Sequence, residues 1–179
     1  FNLGNTIMGY GLSLASSSGM RHALPHKAIS IMGDGGFWHN GLTSGVTSAV
    51  FNGHDGLLII IDNGYSAATG GQDIPSLVEP SLIASTIDAQ QPQREQWQSI
   101  EDACRGAGVD WLQTVSTYNI EAMKHTLREA LTTDAPGLKV VIAEGECMLN
   151  RQRRIKPLLK KAIDTGQRVD RARFYIDAE

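Results

Sequence analysis

Gly33-Asp34-Gly35 and Asp62-Asn63-Gly64 are the two places in this sequence where residue type and spacing could do chemistry. Each closes a short apolar run, Lys27 to Met32 and Leu57 to Ile61. If those runs are neighbouring parallel strands, Asp34 and Asn63 meet at the carboxyl edge of a sheet, where open α/β sheets hold ligands. One carboxylate, one amide oxygen and a backbone carbonyl suit a hard cation such as Mg²⁺, which takes its remaining ligands from water and phosphate. Gly33, Gly35 and Gly36 let the backbone approach an anion and take positive φ. No Lys or Arg stands between Lys27 and Arg94. The G-x-x-x-x-G-K-[ST] phosphate loop and the G-x-G-x-x-G dinucleotide fingerprint are both missing after the first run. A diphosphate bound here is therefore expected to rely on a metal and on backbone amides. Each motif taken alone is ordinary turn chemistry; their pairing at two strand ends carries the reading. Asp34 is expected outside the packed core, so that its removal spares the fold.

The elements that position these residues follow from pattern. The runs at 27–32 and 57–61 read as strands buried on both faces. Between them Asn40 to Asn52 reads as a helix with Asn40 as its N-cap, its free N–H groups aimed back at the glycines. Strand, helix and strand in about 36 residues make a βαβ unit with parallel strands. Upstream, the small residues 4–20 suit a closely packed helix. Downstream, 64–93 is a long loop, of the kind that is functional or mobile in a compact domain. Helices are expected at Glu95 to Arg105 and Ile120 to Leu131, and strands at Trp111 to Val115 and Leu138 to Ala143. The pattern makes an α/β fold.

The chain has 179 residues and a net charge of −3, which suits one domain with a full core and selects no partner. Its 19 glycines cluster in the first 71 residues. Cys104 and Cys147 make no disulfide framework and no cluster ligand set; buried thiols in a reducing cytoplasm are the plain reading. No apolar run approaches the ~20 residues a membrane span needs. The chain starts at Phe1 without a methionine and reads as a piece of a longer polypeptide. Nine of its 16 basic residues lie from Arg151 to Arg173. A boundary is expected at 147, giving a ligand-binding domain over 1–147 and a basic linker or docking tail over 148–179. Nucleic-acid binding by the tail lacks aromatic interleaving.

Gly33-Asp34-Gly35 followed after 27 residues by Asn63 resembles the signature of thiamine-diphosphate enzymes, in the domain that holds the diphosphate. Met8-Gly9-Tyr10-Gly11 is similar to the helix start that precedes this signature. Asp62-Asn63-Gly64-Tyr65 with Thr69-Gly70-Gly71-Gln72 looks most like the 2-oxoacid:ferredoxin oxidoreductases. Phe37 to Gly41 and Gly145 to Arg154 are similar to the indolepyruvate branch. The resemblance implies a three-layer sandwich around a mainly parallel sheet. It implies Asp34 and Asn63 as side-chain metal ligands, the Tyr65 carbonyl as a third, and Gly33, Gly35, Gly36, Phe37, His39, Thr69 and Gly70 at the cofactor. Asp62 stands where many relatives have asparagine, although the ferredoxin-linked branch often has aspartate.

The resemblance further implies oxidative decarboxylation of an aryl 2-oxoacid with thiamine diphosphate, Mg²⁺ and coenzyme A. Ferredoxin would take the electrons through iron-sulfur clusters elsewhere in the full protein. Partners would be a pyrimidine-binding domain, which carries the activating glutamate, and a second subunit, in a dimer or hetero-oligomer. A non-oxidative lyase or synthase, or an idle cofactor-binding module, are the alternatives. The catalytic residue stays unassigned. His39 either contacts substrate or cofactor or is a helix-start histidine bonded to backbone. Thr69 either bonds a phosphate oxygen or belongs to a plain turn. Trp97 and Trp111 fit core packing, and His22, His26, His54 and His125 fall in surface turns or helix positions.

Overall fold

The structure, a computed structural model, describes residues 9–20, 23, 25–66, 71–72, 74–76 and 98–168. Strands β1 (Ile29–Gly33), β2 (Leu57–Asp62), β3 (Trp111–Ser116) and β4 (Lys139–Glu144) form one parallel sheet in the order β1-β2-β4-β3. Gly33 pairs with Ile61, and Asp62 pairs with Glu144. The carboxyl ends of β1, β2 and β4 are therefore level, which puts the residues after them on one edge.

Helices pack on both faces, although Ile29 and Ile31 of β1 stay about half exposed, against the expectation that this strand is buried on both faces. On one face Met32, Leu58, Ile60, Val140 and Ile142 meet Leu14 of α1 (Ser13–Met20) and the helical run that follows β1. Ile100 and Cys104 of α4 (Ile100–Gly106) close the same cluster. On the other face Leu57, Val115 and Val141 meet Ala122, Met123, Leu127 and Ala130 of α5 (Ile120–Thr132). The result is the three-layer α/β sandwich expected from the sequence. Side chains cap two of the helices: Ser99 Oγ accepts from Asp102 N–H, and Asn119 Oδ1 from Ala122 N–H.

Several expectations are corrected. The helix after β1 begins at Asp34, six residues before Asn40. It runs as α2 (Asp34–Gly36), a π-helix (Phe37–Val46) and α3 (Thr47–Phe51). Gly33, extended at φ −82° and ψ 164°, makes the turn from strand to helix by itself. Asn40 lies inside the π-helix, where its Oδ1 accepts from Ser44 Oγ instead of capping. His54 is not on a surface turn; it is 1% exposed and packs beside Gly56, where a Cβ would strike its ring. Cys104 is buried, and burial pushes its thiol up to about 12. Cys147 is only half-buried. Trp111 packs against the second core cluster, whereas Trp97 and His22 lie outside the described residues.

The chain divides into two compact units, Phe1–Glu146 and Cys147–Glu179. The second contains α6 (Met148–Asp164), a basic helix with Pro157 inside it and no buried residue. Among the described residues no helix is long and apolar enough to cross a membrane.

Candidate diphosphate and metal site

Asp34 follows β1 directly and Asn63 follows β2, so adjacent parallel strands deliver both to one edge. Asp34 is 2% exposed, contrary to the expectation that it stands outside the core. A carboxylate so buried needs partners, and backbone amides supply them. Oδ1 accepts from Gly35 N–H at 2.7 Å, while Oδ2 accepts from Asn63 N–H and Gly64 N–H, each at 2.8 Å. Asp34 therefore ties the start of α2 to the turn after β2. Asn63 Oδ1 accepts from Tyr65 N–H at 3.1 Å, which holds that turn in shape. Gly64, at φ 71°, takes the left-handed conformation that the turn requires.

Negative charge gathers here. Burial, followed by the Asp34 carboxylate, pushes Asp62 up to about 6, with Glu144 adding to the rise. Among the described residues, no group of three or more His, Cys, Asp or Glu side chains is placed to hold a metal ion. A cation would depend on the mixed set of Asp34, Asn63 and a carbonyl. That all-oxygen donor chemistry, with a buried anionic member, fits Mg²⁺.

The glycines act differently from the expectation. Gly33, Gly35 and Gly36 all lack positive φ. Gly33 is exposed and a Cβ there would meet open space. Gly35 is glycine for want of room, because a Cβ would collide with Tyr10 Oη and Ser66 Oγ. Gly36 packs its backbone on Gly11, with Gly11 N 3.3 Å from where a Cβ would be. Close approach, not left-handed backbone, is the reason for these two.

Phe37 is fully buried and meets Trp38 edge to face at 5.0 Å, so only its backbone could serve a ligand. His39 is exposed, with its ring 5.5 Å from that of Tyr10. Among the described residues it has no backbone hydrogen bond of the kind the plain reading required. Thr69 and Gly70 lie outside the described residues. Sequence reading missed two fastenings of the loop after β2. Tyr10 Oη shares a 2.8 Å hydrogen bond with Ser66 Oγ, and Trp38 Nε1 donates to Ser76 Oγ at 2.9 Å. Ser66 and Gln72 also exchange two backbone hydrogen bonds, closing a small antiparallel bridge. A polar aromatic beside a glycine-rich helix start was the available signal for Tyr10.

Residues 1–143 match the thiamine pyrophosphate enzyme family, in its C-terminal TPP-binding domain. The chain belongs to the thiamine pyrophosphate enzymes. Among individual relatives, subunit IorA of the indolepyruvate oxidoreductase of Archaeoglobus fulgidus is 36% identical over 139 residues. That match covers 78% of this chain and 20% of the relative. The subunit of the same name from Methanothermobacter marburgensis is 31% identical over 150 residues, 84% of this chain and 22% of the relative. The chain thus spans about a fifth of the length of these curated relatives. A solved 2-oxoglutarate:ferredoxin oxidoreductase from Magnetococcus marinus shares the fold, with a TM-score of 0.61 at 16% identity. The likeness covers 77% of this chain and 46% of that one.

Proposed function

We propose that this chain is the diphosphate-holding domain of a larger 2-oxoacid:ferredoxin oxidoreductase, acting on an aryl 2-oxoacid of the indolepyruvate type. The observation that carries the reading is the Asp34 carboxylate, buried between two strand ends and bonded to the amides of Gly35, Asn63 and Gly64. The similarity to IorA subunits supports the choice of substrate class.

In this reading Asp34, the Asn63 side chain and the Tyr65 carbonyl hold Mg²⁺, and the metal holds the diphosphate. The backbones of Gly33, Gly35, Gly36 and Phe37 line the anion, with His39 at the rim and Thr69 and Gly70 as further cofactor residues. When bound, thiamine diphosphate supplies a nucleophilic carbon and an electron sink for decarboxylation. This chain's own part is to anchor and orient. A buried, all-oxygen site fixes one end of the cofactor, and such positioning is a large share of what makes a bound group reactive. Coenzyme A would take the acyl group, and ferredoxin the electrons, through iron-sulfur clusters on other parts of the enzyme. A pyrimidine-binding domain and a second subunit would complete the assembly, in the cytoplasm.

Calorimetric titration with thiamine diphosphate tests the metal dependence. Binding is expected with Mg²⁺ and is expected to vanish in chelator. Equal affinity in both buffers would overturn the reading, because the described site offers no lysine or arginine to take the metal's place.

A further inference from the structure

The Tyr10 and Ser66 hydroxyls rest directly on Gly35, the residue after Asp34. A Cβ at Gly35 would meet Tyr10 Oη first and Ser66 Oγ next. The two oxygens are 2.8 Å apart, a normal hydrogen bond between hydroxyls. Each hydroxyl carries one hydrogen and can accept as well. A single bond between them uses one of the two hydrogens. Among the described residues neither hydroxyl has another hydrogen-bond partner, so the pair keeps one hydrogen to give.

Their placement gives that hydrogen a direction of use. Ser66 is 7% exposed and forms one side of the Ser66–Gln72 bridge. Tyr10 precedes α1 and comes from a different part of the chain, with His39 from the π-helix against its ring. The segments of Tyr10 and Ser66 thus converge on Gly35, in a region that carries the Asp34, Asp62 and Glu144 carboxylates and no described cation. A hydroxyl is the donor that such a place can offer an anion without adding charge.

We propose that Tyr10 and Ser66 form a paired hydroxyl donor for the diphosphate. Either oxygen accepts from the other while the second hydrogen goes to a phosphate oxygen seated against Gly35. The inference rests on the diphosphate reading above and names two residues that the sequence signature leaves out. The bond between them aims the free hydrogen, so losing either member leaves the remaining hydroxyl without the partner that orients it.

The test uses the 179-residue chain, Mg²⁺, and two probes, thiamine diphosphate and inorganic pyrophosphate. Tyr10→Phe and Ser66→Ala should each weaken both probes about tenfold, as loss of a hydrogen bond to a charged group does. The double variant, which removes the last hydroxyl hydrogen, should be weaker than either single one. The phosphorus resonance of bound pyrophosphate should shift in Tyr10→Phe. Ser66→Thr, which keeps a hydroxyl, should restore binding; loss of binding in Ser66→Thr equal to that in Ser66→Ala points to packing alone and overturns the donor role. Wild-type affinity for pyrophosphate in Tyr10→Phe overturns this inference and leaves the diphosphate reading standing. A wild-type chain that binds neither probe with Mg²⁺ overturns both.

Discussion

Asp34 accepts hydrogen bonds from three backbone amides, and that sets what its replacement costs. Asp34→Ala leaves those donors without their acceptor in a buried place, at about 1–3 kcal/mol for each that finds no water. The expected result is total loss of Mg²⁺-dependent cofactor binding together with a marked fall in the urea midpoint. Asp34→Asn keeps an acceptor oxygen and should recover much of the stability but none of the metal binding. Urea unfolding and calorimetry on the same samples check this; an Asn variant that binds Mg²⁺ as wild type does would remove the carboxylate from the ligand set. At Gly35, adding only a methyl should be harmful. Gly35→Ala drives a Cβ into Tyr10 Oη and Ser66 Oγ, so diphosphate affinity should fall while the helix that contains it gains propensity. Asp34 and Asn63 were legible in the sequence because each ends an apolar run, and neighbouring parallel strands align such ends. The Tyr10–Ser66 pair was not legible. It joins residues 56 positions apart through side chains alone, with no periodicity to announce it.

Among the elements, β4 carries an ion pair at the edge of the sheet opposite the site. Lys139, its first residue, is fully buried, and its Nζ donates to Asp55 Oδ1 at 2.5 Å and to Gly137 O at 2.9 Å. Lys27 stands 3.6 Å from the same Asp55 oxygen. Burial pushes the Asp55 carboxyl up, but the hydrogen bond and charge of Lys139, with Lys27 behind them, outweigh it and hold Asp55 below its ordinary 3.8. A carboxyl lowered in the folded state contributes stability above its unfolded pKa and loses it as pH falls through the folded one. Asp55→Asn should therefore destabilise the domain at pH 7, because the buried Lys139 ammonium loses its counter-charge and keeps only neutral acceptors such as Gly137 O, a loss that solvent at the half-exposed Asp55 reduces. The gap from wild type should narrow below pH 4. Lys139→Met, which removes the buried charge, should cost less than half as much. Urea midpoints across pH decide it; a pH-independent gap would count against the pair. The strands themselves could be read from continuous apolar runs, even though Lys139 interrupts the last run's amino end. The start of the helical run at Asp34 could not be read. Gly-Asp-Gly-Gly has loop composition, and the close packing of Gly35 and Gly36 against Tyr10, Ser66 and Gly11 leaves no trace in the periodicity.

For the whole molecule, the sequence holds two cysteines, one of them buried in the core, too few for a four-cysteine cluster. Residues 1–179 alone are expected to release no carbon dioxide from indolepyruvate or pyruvate, even with thiamine diphosphate, Mg²⁺ and an artificial electron acceptor. Activity should appear when the pyrimidine-binding domain and cluster-bearing parts proposed above are supplied, and sustained turnover by this chain would show that it holds its own catalytic base. The strand order has a different consequence, in time. Ile29 pairs with Leu57, and Trp111 with Lys139, each across about 28 residues, whereas Leu57 pairs with Lys139 across about 82. The sheet is two local βαβ halves joined along one distant seam between β2 and β4. Loop closure makes distant pairings late and slow. Refolding from urea should show a fast phase for the halves and a slow phase for their docking. Ile142→Val, at the seam, should slow the second phase and leave the first unchanged; a single phase indifferent to that substitution would mean that the four strands assemble together.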